Sequence, residues 1–414
     1  MSTPLRARLR DLFDFLSDLG EVAFFVVLAC GVRELHGREP VARREADSPR
    51  HARMLHSHST FLAPHLARPH WARAAAASAR QPERHVLSGD DVAVYNLCGK
   101  MRVEPAAGGS DVVVDVERGG GDAARLRVED GPVSGRPALR VIYPADRIFY
   151  NQQGSGRSRT ELRVRDDGTF NGDSDGWRGG HHVVITSDGG GLDAFADLTV
   201  RLPAGKRLAL HLAAGDVTLT NVSGDIIVDV HAASVHAERV RGHLVFDTGS
   251  GDVRIADAEG DVDLDTGSGA TTLAGVRGER LRVDAGSGLV TGSAIEVREL
   301  SLDLGSGGTR LTGVRAPDIR LDTGSGDTDL ALESDVRSLD IDAGSGGVTL
   351  RVPETLGASL EVDAGSGGID VQLPVQVTKW TGDYLLGKLG DGDGHIRIDS
   401  GSGRVRLLRA MPKS

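Results

Sequence analysis

Apolar and polar residues alternate strictly along the second half of this 414-residue chain, in short runs on both sides of a glycine-rich turn. Each turn reads Gly-Ser-Gly and follows an aspartate after one intervening residue, and the eight copies are 18 to 21 residues apart except for one gap of 36. In every copy the first and third residues before the aspartate are apolar, as Leu244 and Phe246 are before Asp247. Period-two alternation on both sides of a turn predicts two half-buried strands per repeat.

The repeat predicts an all-β fold in which supersecondary units of fixed length are stacked. A helical interpretation fails because each repeat carries several glycines and a β-branched core. A hairpin meander fits less well than a coil in which each strand pairs in parallel with its equivalent one repeat later. We therefore predict a single-chain parallel β-helix, or solenoid, with coils of 18 to 21 residues.

The β-helix is expected to span residues 86–410, with a polar insertion at about 144–192, a variant coil or cap at about 374–395 and a tail at 411–414. Residues 37–85 are rich in Arg, His and Ala without periodicity, which predicts disorder. Residues 1–36 resemble a signal sequence or a short amphipathic helix. Within them, Cys30 ends a run that resembles a lipoprotein cleavage box and is a candidate for lipidation, whereas Cys98 is predicted to be a buried small side chain.

Composition limits the chemistry that the coils can perform. No Phe, Tyr, Trp, His or Cys occurs from Asp247 to Gln372, so these coils lack a nucleophile–histidine pair, a zinc site and flat aromatic surfaces. The net charge of -11 argues against nucleic acid as a partner. The sequence thus predicts a non-enzymatic protein without a cofactor.

Two groups of aromatic and titratable residues lie outside the regular coils and are the candidate binding residues. Trp177, His181 and His182 stand in the insertion, while Trp380 and Tyr384 stand in the 36-residue gap. The alternative for the insertion is an ordinary surface loop that an aromatic side chain anchors to the solenoid.

The repeated aspartates are candidates for a structural or a metal-binding role. They are Asp247, Asp265, Asp284, Asp303, Asp322, Asp342, Asp363 and Asp399. Calcium binding is one alternative, but a single carboxylate per coil supplies few ligands. We expect instead that each aspartate accepts N–H bonds from its own Gly-Ser-Gly turn, in the manner of an Asx turn.

Several of these segments resemble the bacterial DUF4097 family, which also carries an adhesin label. They are Val92 to Gly99, the Leu198 to Gly205 run and the Asp-Thr-Gly-Ser-Gly-Asp segments at 247–252 and 322–327. The resemblance covers about 86–410 and implies a right-handed β-helix outside the cytoplasm, in the periplasm, envelope or medium, without a catalytic motif. The N-terminus departs from the family's export pattern, which leaves a cytoplasmic location open.

The function expected from these features is a non-catalytic extracytoplasmic surface that binds a protein or an envelope polymer. One alternative is a structural scaffold that assembles through self-association. Another is a carbohydrate-active β-helix enzyme, which would need a local cluster of acids with Arg or Lys and sugar-stacking aromatics, and the coils do not provide these. The N-terminal segment could in addition bring the chain to a membrane.

Overall fold

The computed structural model describes residues 82–151, 158–170 and 180–410. The predictions for Cys30, Trp177, residues 1–36, most of 37–85 and the tail lie outside these residues. The described chain is a β-solenoid of one 24-stranded and one four-stranded sheet. One 3₁₀ turn, Ala123–Arg125, interrupts the strands. No helix in the described residues has the length and hydropathy of a membrane span.

The strands before the regular coils are β1 (Glu83–Leu87), β2 (Asp91–Pro105), β3 (Val112–Gly119), β4 (Arg127–Val133), β5 (Arg136–Ile142), β6 (Arg147–Phe149), β7 (Arg159–Val164), β8 (His181–Thr186), β9 (Leu192–Asp193) and β10 (Phe195–Leu202). The first coils contain β11 (Lys206–Thr220), β12 (Gly224–Arg241), β13 (Leu244–Thr248), β14 (Val253–Glu259), β15 (Val262–Thr266), β16 (Thr271–Ala285) and β17 (Val290–Leu304). The remaining strands are β18 (Thr309–Arg315), β19 (Asp318–Thr323), β20 (Thr328–Leu332), β21 (Ser338–Ala343), β22 (Val348–Val352), β23 (Ala358–Asp363), β24 (Ile369–Val371), β25 (Gln376–Trp380), β26 (Tyr384–Leu389), β27 (Gly394–Ser400) and β28 (Val405–Arg409).

The coils pair in parallel, so equivalent positions of successive repeats lie beside each other. Leu244 pairs with Val262 and Val262 with Leu281, which confirms the parallel arrangement predicted from the repeat. The alternating apolar residues face the interior, where Phe246 is fully buried. Thr271 and Thr309 take interior positions that valine holds in other copies. Period-two patterning therefore placed the core correctly.

Glycine is required at the corners because the coils approach each other closely there. A Cβ atom added to Gly251 would lie 1.8 Å from the Ala233 carbonyl oxygen. One added to Gly269 would lie 1.9 Å from the carbonyl oxygen of Gly251. No side chain fits at such distances, so the Gly-Ser-Gly turns stack as a column of bare backbone.

The N-terminal end of the solenoid mixes strand directions. β2 pairs in parallel with β10, β11 and β5. β3 runs antiparallel to both β1 and β10, and β4 runs antiparallel to β5. In the insertion, β6 to β9 form the separate four-stranded sheet, in which β8 pairs with β6 and β7.

The C-terminal coil departs from sequential stacking. β27 pairs in parallel with β21 on one side and with β23 on the other, and β28 lies in the same way between β22 and β24. The last coil in the sequence is therefore next to last in space, and the expectation that every strand pairs with its equivalent one repeat later is wrong here. The β25–β26 hairpin extends the sheet beyond β23 through antiparallel pairing.

Candidate binding surfaces

The repeated aspartates form one row across the solenoid, one residue per coil. Parallel pairing places Asp247 beside Asp265, and the row continues through every later copy. It ends with Asp342, Asp399 and Asp363, in that spatial order. Asp229 precedes Asp247 as a further member that the Gly-Ser-Gly search missed, because His231 and Ala232 follow it instead of a glycine turn.

The turns do not use these carboxylates in the way the sequence suggested. The N–H of Gly267 donates to the Thr248 carbonyl oxygen at 2.8 Å, and the N–H of Ser268 donates to the Gly249 carbonyl oxygen at 3.1 Å. Among the described residues, only Asp363 in the row accepts an N–H bond from its own turn, that of Gly365 at 3.1 Å. The turn-capping hypothesis is therefore wrong for the other copies, because a neighbouring coil already supplies the acceptor for the N–H of the first glycine in each of these turns.

The carboxylates of the row instead face solvent and each other. Partial burial raises the pKa of Asp247 above its ordinary value, and the charges of Asp229 and Asp265 raise it further. The pKa values of Asp284 and Asp322 are raised by the same two causes, in the same order. Ionisation of these three aspartates at neutral pH is therefore an electrostatic cost to the fold.

The row does not form a compact ligand set for calcium. In the described part of the chain, no group of three or more His, Cys, Asp or Glu side chains is arranged to hold a metal ion. The parallel register explains this, because it places one carboxylate per strand in a line instead of several around a point. Calcium requires six to eight oxygen ligands around one centre.

Aromatic residues replace the aspartates at the N-terminal end of the row. Asp229 pairs in register with His211, and His211 with Tyr95. The rings of Tyr95 and His211 stack at 4.3 Å between centroids, while His211 Nδ1 lies 3.1 Å from Asp229 Oδ2. Phe170 of the insertion is fully buried and meets both rings edge-on. An aromatic side chain thus does attach the insertion to the coils, in agreement with the surface-loop alternative.

The two predicted histidines of the insertion lie on β8 and point to opposite faces, as adjacent strand residues do. His181 Nε2 lies 3.5 Å from Asp146 Oδ1, beside a cleft of about 360 Å³ that Arg127 and Arg165 also line. His182 Nε2 lies 3.3 Å from Glu161 Oε2 on the other face. The structure therefore does not bring these two residues into one site.

Trp380 and Tyr384 lie in the C-terminal hairpin, far along the array from the insertion. Trp380 is 48% exposed on β25, whose outer edge has no partner strand among the described residues. Tyr384 donates its hydroxyl to Glu361 Oε1 at 3.1 Å, and Lys379 Nζ lies 4.6 Å from the centre of its ring. Tyr384 is thus held by neighbours, whereas Trp380 is available for contact.

One serine–histidine pair lies on the surface of the last coils. Ser359 Oγ is 3.0 Å from His395 Nδ1, but it is also 3.0 Å from the Gly394 carbonyl oxygen, which accepts its proton. No carboxylate of the described chain hydrogen-bonds His395 in the orientation that a triad requires. The pair links two coils and is not arranged as a nucleophile and base.

Cys98 is a free, fully buried thiol, as predicted. Burial raises its pKa well above the ordinary value. Its carbonyl oxygen accepts bonds from the Tyr143 hydroxyl at 2.9 Å and from the Asn96 amide at 3.0 Å. This buried network ties Tyr143 and Asn96 to the backbone at Cys98, while burial disfavours the thiolate, which is the reactive form of cysteine.

Comparisons with known proteins identify one matching family. A family model described as Toastrack DUF4097 matches residues 193–408. No curated protein matches the chain. Among solved structures, one titled as a "putative cell adhesion protein" from Clostridium sporogenes aligns with 80% of this chain and 100% of its own, at 9% identity and a TM-score of 0.18.

Proposed function

Because this chain belongs to the Toastrack DUF4097 family, we propose that its solenoid is a non-catalytic surface that binds a protein or an envelope polymer outside the cytoplasm. The observation that carries the proposal is the straight alignment of equivalent side chains, as in the aspartate row, at a strand spacing of about 4.8 Å. A surface of fixed repeat can match a partner that has its own repeat, such as an extended polymer or a β-rich protein.

The cost of the aspartate row supports an outward role for these faces. Asn or Thr would occupy the same exposed positions without repulsion, yet the row keeps its carboxylates, and the pKa of Asp284 is raised. Features that reduce stability and do not serve packing are typical of functional surfaces. The same row repels polyanions from its own face.

We also infer that the solenoid is right-handed, with coils of 18 to 21 residues. Connections between parallel neighbours in one sheet are right-handed in about 98% of cases. An experimental structure with left-handed coils would contradict the inference.

Binding is tested with the full chain immobilised and exposed separately to envelope and cytosolic fractions of the producing cells. We expect retention of an envelope component, and treatment with protease or polysaccharide hydrolase then distinguishes protein from polymer. The control is the same chain denatured before immobilisation. Retention of cytosolic components alone would contradict the proposal, and so would turnover of the retained polymer by the chain.

A scaffold that assembles end to end is the second candidate, and the C-terminal hairpin favours it. Val377 is 53% and Trp380 48% exposed on β25, and an unpaired strand edge with apolar side chains recruits further strands. Sedimentation of the full chain over a wide concentration range tests this. Reversible association that V377K/W380K abolishes supports the scaffold, whereas a monomer at all concentrations contradicts it.

A further inference from the structure

A groove crosses five neighbouring strands on the face formed by the strand residues that come directly after the corner turns in the sequence. Its volume is about 450 Å³, and it runs along the stacking direction over β2, β11, β12, β14 and β16. One row of its lining residues is fixed by the parallel register and consists of Arg102, Thr218, His236, Arg254 and Thr272. A second row begins with Lys100, Asp216 and Ser234. The groove lies across the corner from the aspartate row.

Three cations of this groove have no ion-pair partner among the described residues. Within the described part of the chain, Lys100, Arg102 and Arg254 form no ion pair. Other arginines of the coils do pair with the next coil, as Arg241 Nε does with Glu259 Oε2 at 2.8 Å. Three cations without an ion-pair partner therefore line one groove of a chain whose net charge is -11.

Two carboxylates also line the groove. Asp252 Oδ1 accepts the N–H of Ala270 at 2.9 Å, which engages it with the backbone. Asp216 lies between Lys100 and Ser234 in the second row. The three cations, Lys100, Arg102 and Arg254, outnumber the two acids.

The spacing of the charges suits an extended ligand. Arg102 and Arg254 are three strands apart, which is about 14 Å at a spacing of about 4.8 Å. The hydroxyls of Thr218, Ser234 and Thr272 lie between and beside them. A ligand that fills the groove therefore needs anionic groups at intervals and hydroxyl groups between them.

We propose that this groove binds an acidic polysaccharide, lying along the stacking direction with its anionic groups on Lys100, Arg102 and Arg254. The inference rests on the proposed function and names the chemistry of the polymer. Nucleic acid fits less well because the lining has no Phe, Tyr or Trp on which bases stack. Single-stranded DNA is accordingly one arm of the test.

The test measures binding of the full chain to polygalacturonate, to its fully methyl-esterified form and to single-stranded DNA. We expect binding to the acid form alone, with an affinity that falls as salt is added. The variant K100Q/R102Q/R254Q should bind at least about tenfold more weakly, because it removes three cations that can each form a charge-assisted hydrogen bond with the polymer. The matched control R282Q/R320Q/R404Q removes three exposed cations elsewhere and should leave the affinity unchanged.

Thermal unfolding and circular dichroism of both variants establish that the fold is intact. Equal affinity in the groove variant and the wild type overturns the proposal, as does equal binding of the esterified polymer or tighter binding of DNA. Absence of polygalacturonate binding also overturns it. If the chain still retains an envelope component in that case, the proposed function stands and only the groove assignment fails.

Discussion

His211 Nδ1 lies 3.1 Å from Asp229 Oδ2 on the neighbouring coil. The pair stands where the ring side chains at the N-terminal end of the row give way to the aspartates. His211 is 5% exposed and stacks on Tyr95, so its imidazole both satisfies the first carboxylate and supports the insertion through Phe170.

Replacement of this histidine should destabilise the N-terminal coils. H211A removes one hydrogen-bond partner of Asp229 and part of the surface on which Phe170 packs, and we expect a loss of about 2 kcal/mol in the free energy of unfolding. Denaturant titration checks this, with H236A as the matched control because His236 lies half-buried on the next strand. An H211A loss no larger than that of H236A would show that the contact is neutral.

Neutralising a carboxylate in the middle of the row should stabilise the protein. D284N removes repulsion from Asp265 and Asp303, so we expect a gain of about 0.5 to 1 kcal/mol at pH 7. The pKa of Asp284 is raised in the fold, so the folded protein binds this proton more tightly than the unfolded chain does. The stability that protonation contributes is fully present below the ordinary pKa of 3.8 and is lost as pH rises. The advantage of D284N should therefore vanish at low pH and shrink in 1 M salt. D335N, outside the row, is the control for net charge.

Asp115 should give the opposite dependence on pH. A hydrogen bond from Arg84, supported by Arg201, lowers its pKa from 3.8 to about 2. This stability is present above pH 4 and is lost as pH falls towards 2, and it amounts to about 2 kcal/mol. D115N should lose that amount at pH 7 and little at pH 2, as measured by denaturant titration. A constant difference between the two proteins across this range would contradict the linkage.

The corner glycines should tolerate no side chain. In G288A the new Cβ would lie 1.9 Å from the Gly269 carbonyl oxygen, so the coils must separate, at a cost of at least about 3 kcal/mol. G382A is the matched control, because nothing lies within 4 Å of a Cβ at that position. Comparable unfolding midpoints for the two variants would refute the close packing of the corners.

Removal of the last coil should expose strand edges, and a peptide with the sequence of that coil should bind to them again. A chain that ends at Asp393 leaves β21 and β23 without their common neighbour β27, and we expect it to aggregate through these exposed edges. A peptide of residues 394–410 should bind it and restore the monomer, as sedimentation and light scattering would show. Truncation after residue 410 is the control. A stable monomer without the peptide would exclude the interleaved arrangement.

Local alternation of residues was sufficient to predict the strands and the core. Leu244 and Phe246 are inward because every second residue of a strand faces the same side. The use of the turn N–H groups was not predictable in this way, since their acceptors lie on the preceding coil. The motif pointed to the nearest carboxylate as the acceptor, and among the described turns this prediction is correct only at Asp363.

The repeat pattern also could not predict the spatial order of the last coils. The repeats at Asp342, Asp363 and Asp399 fit the same template, so nothing in their residues distinguishes sequential from interleaved stacking. The cationic groove was missed for a related reason. Arg102 and Arg254 are far apart in the sequence, in segments that alternation describes only as strands.

The interleaved last coil limits how such a chain can lengthen during evolution. A coil added by duplication at the 3′ end of the gene would find no free strand edge at this end of the stack. β27 already lies between β21 and β23, and the β25–β26 hairpin covers β23. New units can enter only upstream, among the sequentially stacked coils. The interleaved last coil and its hairpin would then be inherited unchanged while the number of coils varies.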